Sequence, residues 1–455
     1  MENNRSNYTS LLMIHIGIGV LLFIVPFLSK IFSISIFGFG VYYLIKTQNR
    51  NNEALVLSAY VMSVEVLLRM TNGMHFNEYG KYSIILYMLM GMFFTGFKKS
   101  SAMYWIFLLL LVPGIILSTF TLSYQVDIRK AIAFNISGPV CLGISAIYCY
   151  RRQIKFDRLM DVLTVFGFPL ISILTYVYLY NPSIKDTITG TQSNFETSGG
   201  FGPNQMSTIL GFGIFIFFVQ FLLRSSTTKL KVINGGLVLL FAFRSIVTFS
   251  RGGVMTAGVM IVLLLIVLYF QTNVRGRFKL MLILVFTVFA ALGVWTYSSL
   301  QTSGMIDKRY ANEDARGRKK QSALTGRERL IESEFEMFME NPILGIGVGK
   351  NKEYREEMTG IEAASHNEIT RMMAEHGALG ILCLLILLFT PMVLCLDNRQ
   401  HIFMLSFMVF WLLTINHAAM RLAAPAFIYA LALLKVTINE EPVVHREQTV
   451  GSRIE

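Results

Sequence analysis

The chain has 455 residues, of which 54% are hydrophobic and 15% charged, with a mean hydropathy of +0.55. That balance excludes an ordinary soluble enzyme of this length, so the bilayer must be its solvent. The formal net charge of +12 would suggest a nucleic-acid partner in a soluble protein, yet most basic residues sit in short connections between apolar runs, where they report topology.

Fourteen apolar runs recur along the chain, each near the length of about 20 residues that a hydrocarbon core requires, or somewhat below it. They lie near 10–28, 31–45, 54–71, 82–97, 101–120, 131–149, 159–180, 205–223, 231–249, 253–271, 280–299, 377–396, 402–415 and 422–436. The first lacks a small-residue cleavage pattern and is followed almost at once by the second, so it reads as a retained span. The fold expected is all-α: a polytopic membrane helical bundle of 12–14 transmembrane helices.

Alternate connections carry Lys46 and Arg50; Lys98 and Lys99; Arg151, Arg152, Lys155 and Arg158; Arg224, Lys229 and Lys231; Arg275, Arg277 and Lys279; and Arg399. The positive-inside rule makes these cytoplasmic, with both termini inside. Arg129 and Lys130, in the connection 121–130, are the one external exception. Cys141, Cys149, Cys383 and Cys395 lie in apolar runs without metal-ligand spacing, so neither a disulfide framework nor a metal site is expected.

The organisation expected is an N-terminal membrane region over 1–180, a catalytic region over 181–437 and a polar, disordered cytoplasmic tail over 438–455. Two long external segments interrupt the pattern, and long loops usually carry function. The first, 181–204, is glycine-rich and reads as a lid or hairpin entering the next span. The second, about 300–365, opens with a basic stretch at 308–320. It continues into an amphipathic helix over 327–340, with Leu330, Ile331, Phe335, Phe338 and Met339 on one side. Asn341-Pro342 ends that helix, and Gly345, Gly347 and Gly349 read as a flexible turn.

Three features share the external side. Ser250-Arg251-Gly252-Gly253 closes the ninth run, with Arg244 two turns earlier on the same predicted helix. Arginine beside a span is expensive and usually faces a polar cavity or an anion. For Arg251, snorkelling to headgroups accounts for the position equally well; Arg244 lies deeper and is harder to explain that way. Thr325-Gly326-Arg327-Glu328-Arg329 could offer a guanidinium fork to phosphate, although Arg327 and Arg329 pair more simply with Glu328, Glu332 or Glu334 on a solvated face. Ser365-His366-Asn367-Glu368 has the form of a capping box with Ser365 as N-cap. That would place His366 in a first helical turn, where the positive helix end favours a neutral ring able to accept a proton; an interfacial histidine with a solvated ring is the alternative. His15, His75, His376, His401, His417 and His445 lack this setting and read as packing or surface residues. Arginines and a histidine on one external face suit displacement of a phosphate leaving group by a hydroxyl.

In these residues the chain resembles the O-antigen ligase and O-antigen polymerase superfamily of bacterial membrane glycosyltransferases. The similarity runs from about 200 to 390. It includes Gly202-Pro203-Asn204-Gln205, Ser250-Arg251-Gly252-Gly253, Gly326-Arg327, the glycine run at 341–349, and His366-Asn367 followed by 375–380. Order and spacing carry the resemblance, and the amino-terminal half shares only hydropathy. The resemblance implies a bundle related to the GT-C glycosyltransferases, with a large external loop roofing a cavity. It also implies an undecaprenyl-pyrophosphate-linked glycan donor, a glycan, lipid A core or protein acceptor, and metal-independent inverting transfer with no cofactor. By the same likeness Arg251 and Arg327 match pyrophosphate-binding arginines and His366 the catalytic base, at the periplasmic or exterior face of the bacterial inner membrane. Arg244, Asn204, Asn367 and Arg371 are added as candidate supporting residues. A transporter of lipid-linked sugars, the competing class, would more naturally show inverted repeats and broken helices at mid-membrane; a scaffold without chemistry would leave the arginine and histidine positions unexplained.

Overall fold

The computed structural model describes residues 2–188, 190–320, 327–360, 363–417 and 420–438. Its first half is formed by α1 (Glu2–Ile24), α2 (Leu28–Thr47), α3 (Glu53–Met70), α4 (Tyr79–Thr95), α5 (Ala102–Thr121), α6 (Ile128–Cys149), the short strand β1 (Gln153–Lys155) and α7 (Phe156–Tyr180). There follow α8 (Pro203–Val219), α9 (Thr228–Ile246), α10 (Arg251–Gln271) and α11 (Val274–Gln301). The long segment between α11 and α15 folds into α12 (Met305–Tyr310), α13 (Arg327–Glu340) and α14 (Asn351–Thr359). The chain then forms α15 (Glu368–Asp397), α16 (Met404–Ile415), α17 (Ala424–Leu431) and β2 (Lys435–Thr437). The expected polar tail lies outside the described residues apart from Ile438.

Each of the fourteen apolar runs contains a helix, the last of them passing into β2, because helical backbone satisfies its own polar groups in hydrocarbon. Among the described residues, nine helices are long and apolar enough to cross a membrane. The other five fall short for visible reasons. Glu53, Glu65 and Arg69 interrupt α3, Lys229, Lys231 and Arg244 interrupt α9, and α4, α16 and α17 are short. Short α16 and α17 are nonetheless core elements: Phe407, Trp411, Phe427 and Tyr429 are buried. Outward-facing rings mark the opposite extreme, with Phe93 84% and Phe120 81% exposed, a surface that only a lipid environment makes favourable.

The helices pack across residue 180: α17 lies against α6 and α3, α15 against α5, and β1 pairs in parallel with β2. The basic connections meet at one end of the bundle. Arg151 pairs with Asp397 at 3.0 Å, Arg158 donates to the Asn51 carbonyl, Arg224 pairs with Asp161 at 2.8 Å, and Gln271 donates to the Arg399 carbonyl. Segments 181–204 and 302–320 meet at the other end, where the Thr191 hydroxyl donates to the Glu313 carbonyl and Lys320 donates to the Thr191 hydroxyl. The alternation read from charge is therefore a real two-ended arrangement.

One expectation is overturned in the glycine run. Gly377 adopts φ 59° and ψ −137°, breaking α15 after its first nine residues. The glycine run closes the break as a strap: the Ile346 and Gly347 amides donate to the Ala374 and Glu375 carbonyls at 2.9 and 3.1 Å, and the Ala378 amide donates to the Pro342 carbonyl at 2.8 Å. Residues 345–349 are buried, and Gly345, Gly347 and Gly349 all have positive φ. A Cβ on Gly345 would stand 2.5 Å from the His376 amide nitrogen. Glycine is needed here for left-handed backbone and close approach, not for flexibility.

Candidate functional site

Arg251 does not close α9. That helix ends at Ile246; Phe249 turns the chain with φ 59°, and Arg251 is the first residue of α10. Arg251 thus stands at a helix N-terminus, whose dipole attracts anions, with the first-turn amide of Gly253 donating to the Ser207 hydroxyl at 3.2 Å. Backbone contact between α8 and α10 fixes this corner, because a Cβ on Gly211 would lie 2.7 Å from the Gly253 carbonyl carbon. Ser250 donates to the Asn204 side-chain oxygen at 2.8 Å and the Ser207 hydroxyl to the Ser250 carbonyl at 2.8 Å. Asn204 thus lies beside Ser250, the residue before Arg251.

Other cations join this corner. Arg309, on α12, donates to the Phe249 carbonyl at 3.0 Å. Lys320 has its pKa pulled down by burial and by the nearby Arg309 and Arg251. Tyr310 has its phenol pushed up to about 12 by burial, against the pull of the same two arginines. Clustered cations beside a helix N-terminus make a strong anion site, since each lowers the cost of bringing phosphate oxygens to the others.

His417 presses against the same corner: a Cβ on Gly252 would meet its ring at 2.6 Å, and its Nε2 lies 3.1 Å from the Thr208 hydroxyl. Four residues on, Arg421 donates to the Ser365 carbonyl at 2.8 Å and stands 3.3 Å from His366 Nδ1. Four chain steps reach at most about 14 Å, so the connection from α16 to α17 ties the Arg251 corner to the His366 loop. Its anchors are buried carboxylates: Glu65 accepts the Ala423 amide at 2.8 Å, and Glu368 accepts the Met420 amide at 3.5 Å.

The capping-box reading of 365–368 is corrected. Asn367 is the N-cap, its side chain accepting from the Ile369 amide at 2.9 Å, while the Ser365 hydroxyl accepts from the Asn367 amide. His366 therefore precedes α15 and gains less from the helix terminus than expected. Its Nδ1 lies 3.1 Å from the Ala364 carbonyl. In the tautomer with a proton on Nδ1 that nitrogen donates to Ala364 and Nε2 carries the lone pair.

Arg371 is saturated: it pairs with Glu368 and Glu375 and donates to the Asn135 carbonyl at 3.1 Å. It supports the carboxylate that holds the Met420 amide and is spent on that task. Arg244 points elsewhere, stacking 4.0 Å over Tyr178 and donating to the Asn181 carbonyl at 2.6 Å. It lies on a different helix from Arg251 and anchors the start of the 181–204 segment.

Arg327 opens α13, and its side chain lies outside the described residues. The helix bounds match those expected, but its packed face is Ser333, Glu334 and Met337, whereas Phe335 and Met339 are exposed. Polar partners explain the choice. Arg355 of α14 pairs with Glu334 at 2.8 Å and donates to Ser333 at 3.0 Å, and the Thr370 hydroxyl donates to Glu334. Burial nevertheless pushes the Glu334 carboxyl above its ordinary range. This network clamps α13 onto the loop that bears His366.

Sequence reasoning missed Arg421 and Glu65, gave His417 a packing role and read Arg309 and Lys320 only as part of a basic stretch. The signal for His417 and Arg421 was their place in a short connection on the same side as Arg251.

Residues 235–385, about a third of the chain, match the family model described as O-antigen ligase, which supports the resemblance to the O-antigen ligase and polymerase superfamily. The match contains Arg251, Arg327 and His366 but ends before His417 and Arg421. No curated protein matches the chain.

Proposed function

We propose that this chain is a membrane glycosyltransferase that moves a glycan from an undecaprenyl-pyrophosphate carrier to an acceptor hydroxyl on the outer face of the inner membrane. The observation that carries the reading is the connection from α16 to α17, which places His417 against the Arg251 corner and Arg421 against His366. An anion site and a proton acceptor joined in this way suit one reaction centre.

The acceptor hydroxyl oxygen attacks the anomeric carbon of the donor sugar. The bond from that carbon to the pyrophosphate oxygen breaks, and its electron pair leaves on undecaprenyl pyrophosphate. Arg251, Arg309 and Lys320 at the N-terminus of α10 receive the developing charge, with Arg327 assigned the same role by family likeness. His366 takes the hydroxyl proton on Nε2 while Nδ1 donates to the Ala364 carbonyl. Attack opposite the leaving group inverts the anomeric configuration, and the cations supply the charge stabilisation that a metal provides elsewhere. The broken helix α15 gives a transporter little support, because its break is filled by the 342–347 strap.

The test uses purified protein with an undecaprenyl-pyrophosphate glycan and a candidate acceptor. Extended glycan and undecaprenyl pyrophosphate should form in equal amounts, with the new linkage opposite in anomeric configuration to the donor. Transport of the intact lipid-linked glycan without bond cleavage would overturn the reading.

A further inference from the structure

We infer that the cavity of about 650 Å³ bounded by the outer ends of α4, α6 and α14 and by the Ser365–Arg421 contact is the subsite that binds the terminal sugars of the acceptor glycan. The inference rests on the transferase reading and deepens it, because that reading requires an acceptor hydroxyl beside His366 and leaves its binding place open.

Place is the first argument. Ser365 and Arg421 line the cavity, and they are the flanking residue and the guanidinium neighbour of His366. Arg251, Arg309 and Lys320 do not line it, so the cavity is distinct from the pyrophosphate corner.

Chemistry is the second. Sugars present hydroxyls that need acceptors and donors around their rims, and apolar C–H faces that settle on aromatic rings. Phe76, Tyr82 and Phe134 line the cavity with substantially exposed rings. Glu353 and Glu356 supply acceptor oxygens with several lone pairs each. A volume within the roughly 300–1,000 Å³ of small-molecule pockets suits a saccharide end rather than a single ion.

The third argument is independent of both. Asn351, at the start of α14, lines the cavity, is 3% exposed, and its side-chain amide nitrogen has no hydrogen-bond partner among the described residues. A buried amide donor left unpaired is costly. A small turn of that side chain toward the cavity would let a ligand hydroxyl accept from the nitrogen and remove the penalty.

Two probes test this on the full-length purified protein: the host's lipid-linked repeat-unit oligosaccharide freed from its carrier by mild acid, and the oligosaccharide portion of the host's surface glycolipid. At least one should bind saturably. Asn351→Ala and Phe134→Ala should each weaken that binding by about tenfold while leaving binding of the intact lipid-linked donor unchanged, which also shows that the variants fold. Arg251→Ala should do the reverse. The inference is overturned if neither oligosaccharide binds, or if binding follows Arg251 and ignores Asn351 and Phe134. Failure of the transferase reading looks different: no bond cleavage in the transfer assay, with oligosaccharide binding still lost in the Asn351 and Phe134 variants. If transfer proceeds and those variants leave the acceptor KM unchanged, the cavity assignment falls alone.

Discussion

Arg421 stands 3.3 Å from Nδ1 of His366 while donating to the carbonyl of Ser365, so its guanidinium fixes the backbone that carries the ring. The Arg421 carbonyl in turn accepts from Arg69 at 3.4 Å, and the adjoining Ala423 amide is held by Glu65, so the brace is anchored in α3.

If Arg421 positions His366, Arg421→Ala should lower kcat by about ten- to a hundredfold through misplacement of the base with little change in donor binding. Arg421→Lys should recover only part of the loss, since an ammonium lacks the planar fork that holds the Ser365 carbonyl. Single-turnover rates beside donor binding isotherms would show this. An equal fall in both quantities would instead mark Arg421 as a pyrophosphate ligand.

Lys320 gives the anion corner a pH signature. Its pKa is lowered from 10.5 by burial first and by Arg309 and Arg251 next. A bound pyrophosphate favours the protonated amine, so donor affinity should be full at neutral pH and fall as pH rises through that lowered pKa, earlier than for an ordinary lysine. Donor titrations across the alkaline range should show the fall in the parent protein and a flatter profile in Lys320→Met.

The strap across the break in α15 predicts a stability effect away from the chemistry. Gly345→Ala forces a Cβ to within 2.5 Å of the His376 amide nitrogen at φ 71°. A loss of about 2 kcal/mol or more is expected from strain and a displaced hydrogen bond. Thermal unfolding in detergent should shift downward, whereas Gly293→Ala on lipid-facing α11, where an added Cβ meets nothing within 4 Å, should leave it unchanged.

Sidedness follows from the two-ended arrangement of the loops. Lys319→Cys should react with an impermeant thiol reagent in intact cells, or in spheroplasts where an outer membrane intervenes, and Arg152→Cys should not. The opposite pattern would place the Arg251 corner and His366 on the cytoplasmic side.

Hydropathy exposed every apolar helix because helical backbone is obligatory in hydrocarbon, and spacing located α13 to the residue. What escaped it depends on contacts between distant positions. The helix start near 365–368 was legible, but neither the pairing of Arg371 with Glu375 in the first nine residues of α15 nor the break at Gly377 was. Asn367 rather than Ser365 caps that helix because the Ser365 hydroxyl is engaged by the Asn367 amide. The inward face of α13 is set by Arg355 and Thr370 reaching Glu334, against the apolar stripe. Arg421 meets His366 across 55 positions of sequence, a separation at which no local pattern operates.

The central claim is that His366 removes the acceptor proton while Arg251 holds the pyrophosphate, and one paired measurement separates them. With purified protein, His366→Ala should cut turnover by about two to four orders of magnitude and leave donor affinity nearly unchanged, whereas Arg251→Ala should weaken donor binding as well as turnover. Full turnover in His366→Ala would contradict the account, as would unaltered donor binding in Arg251→Ala.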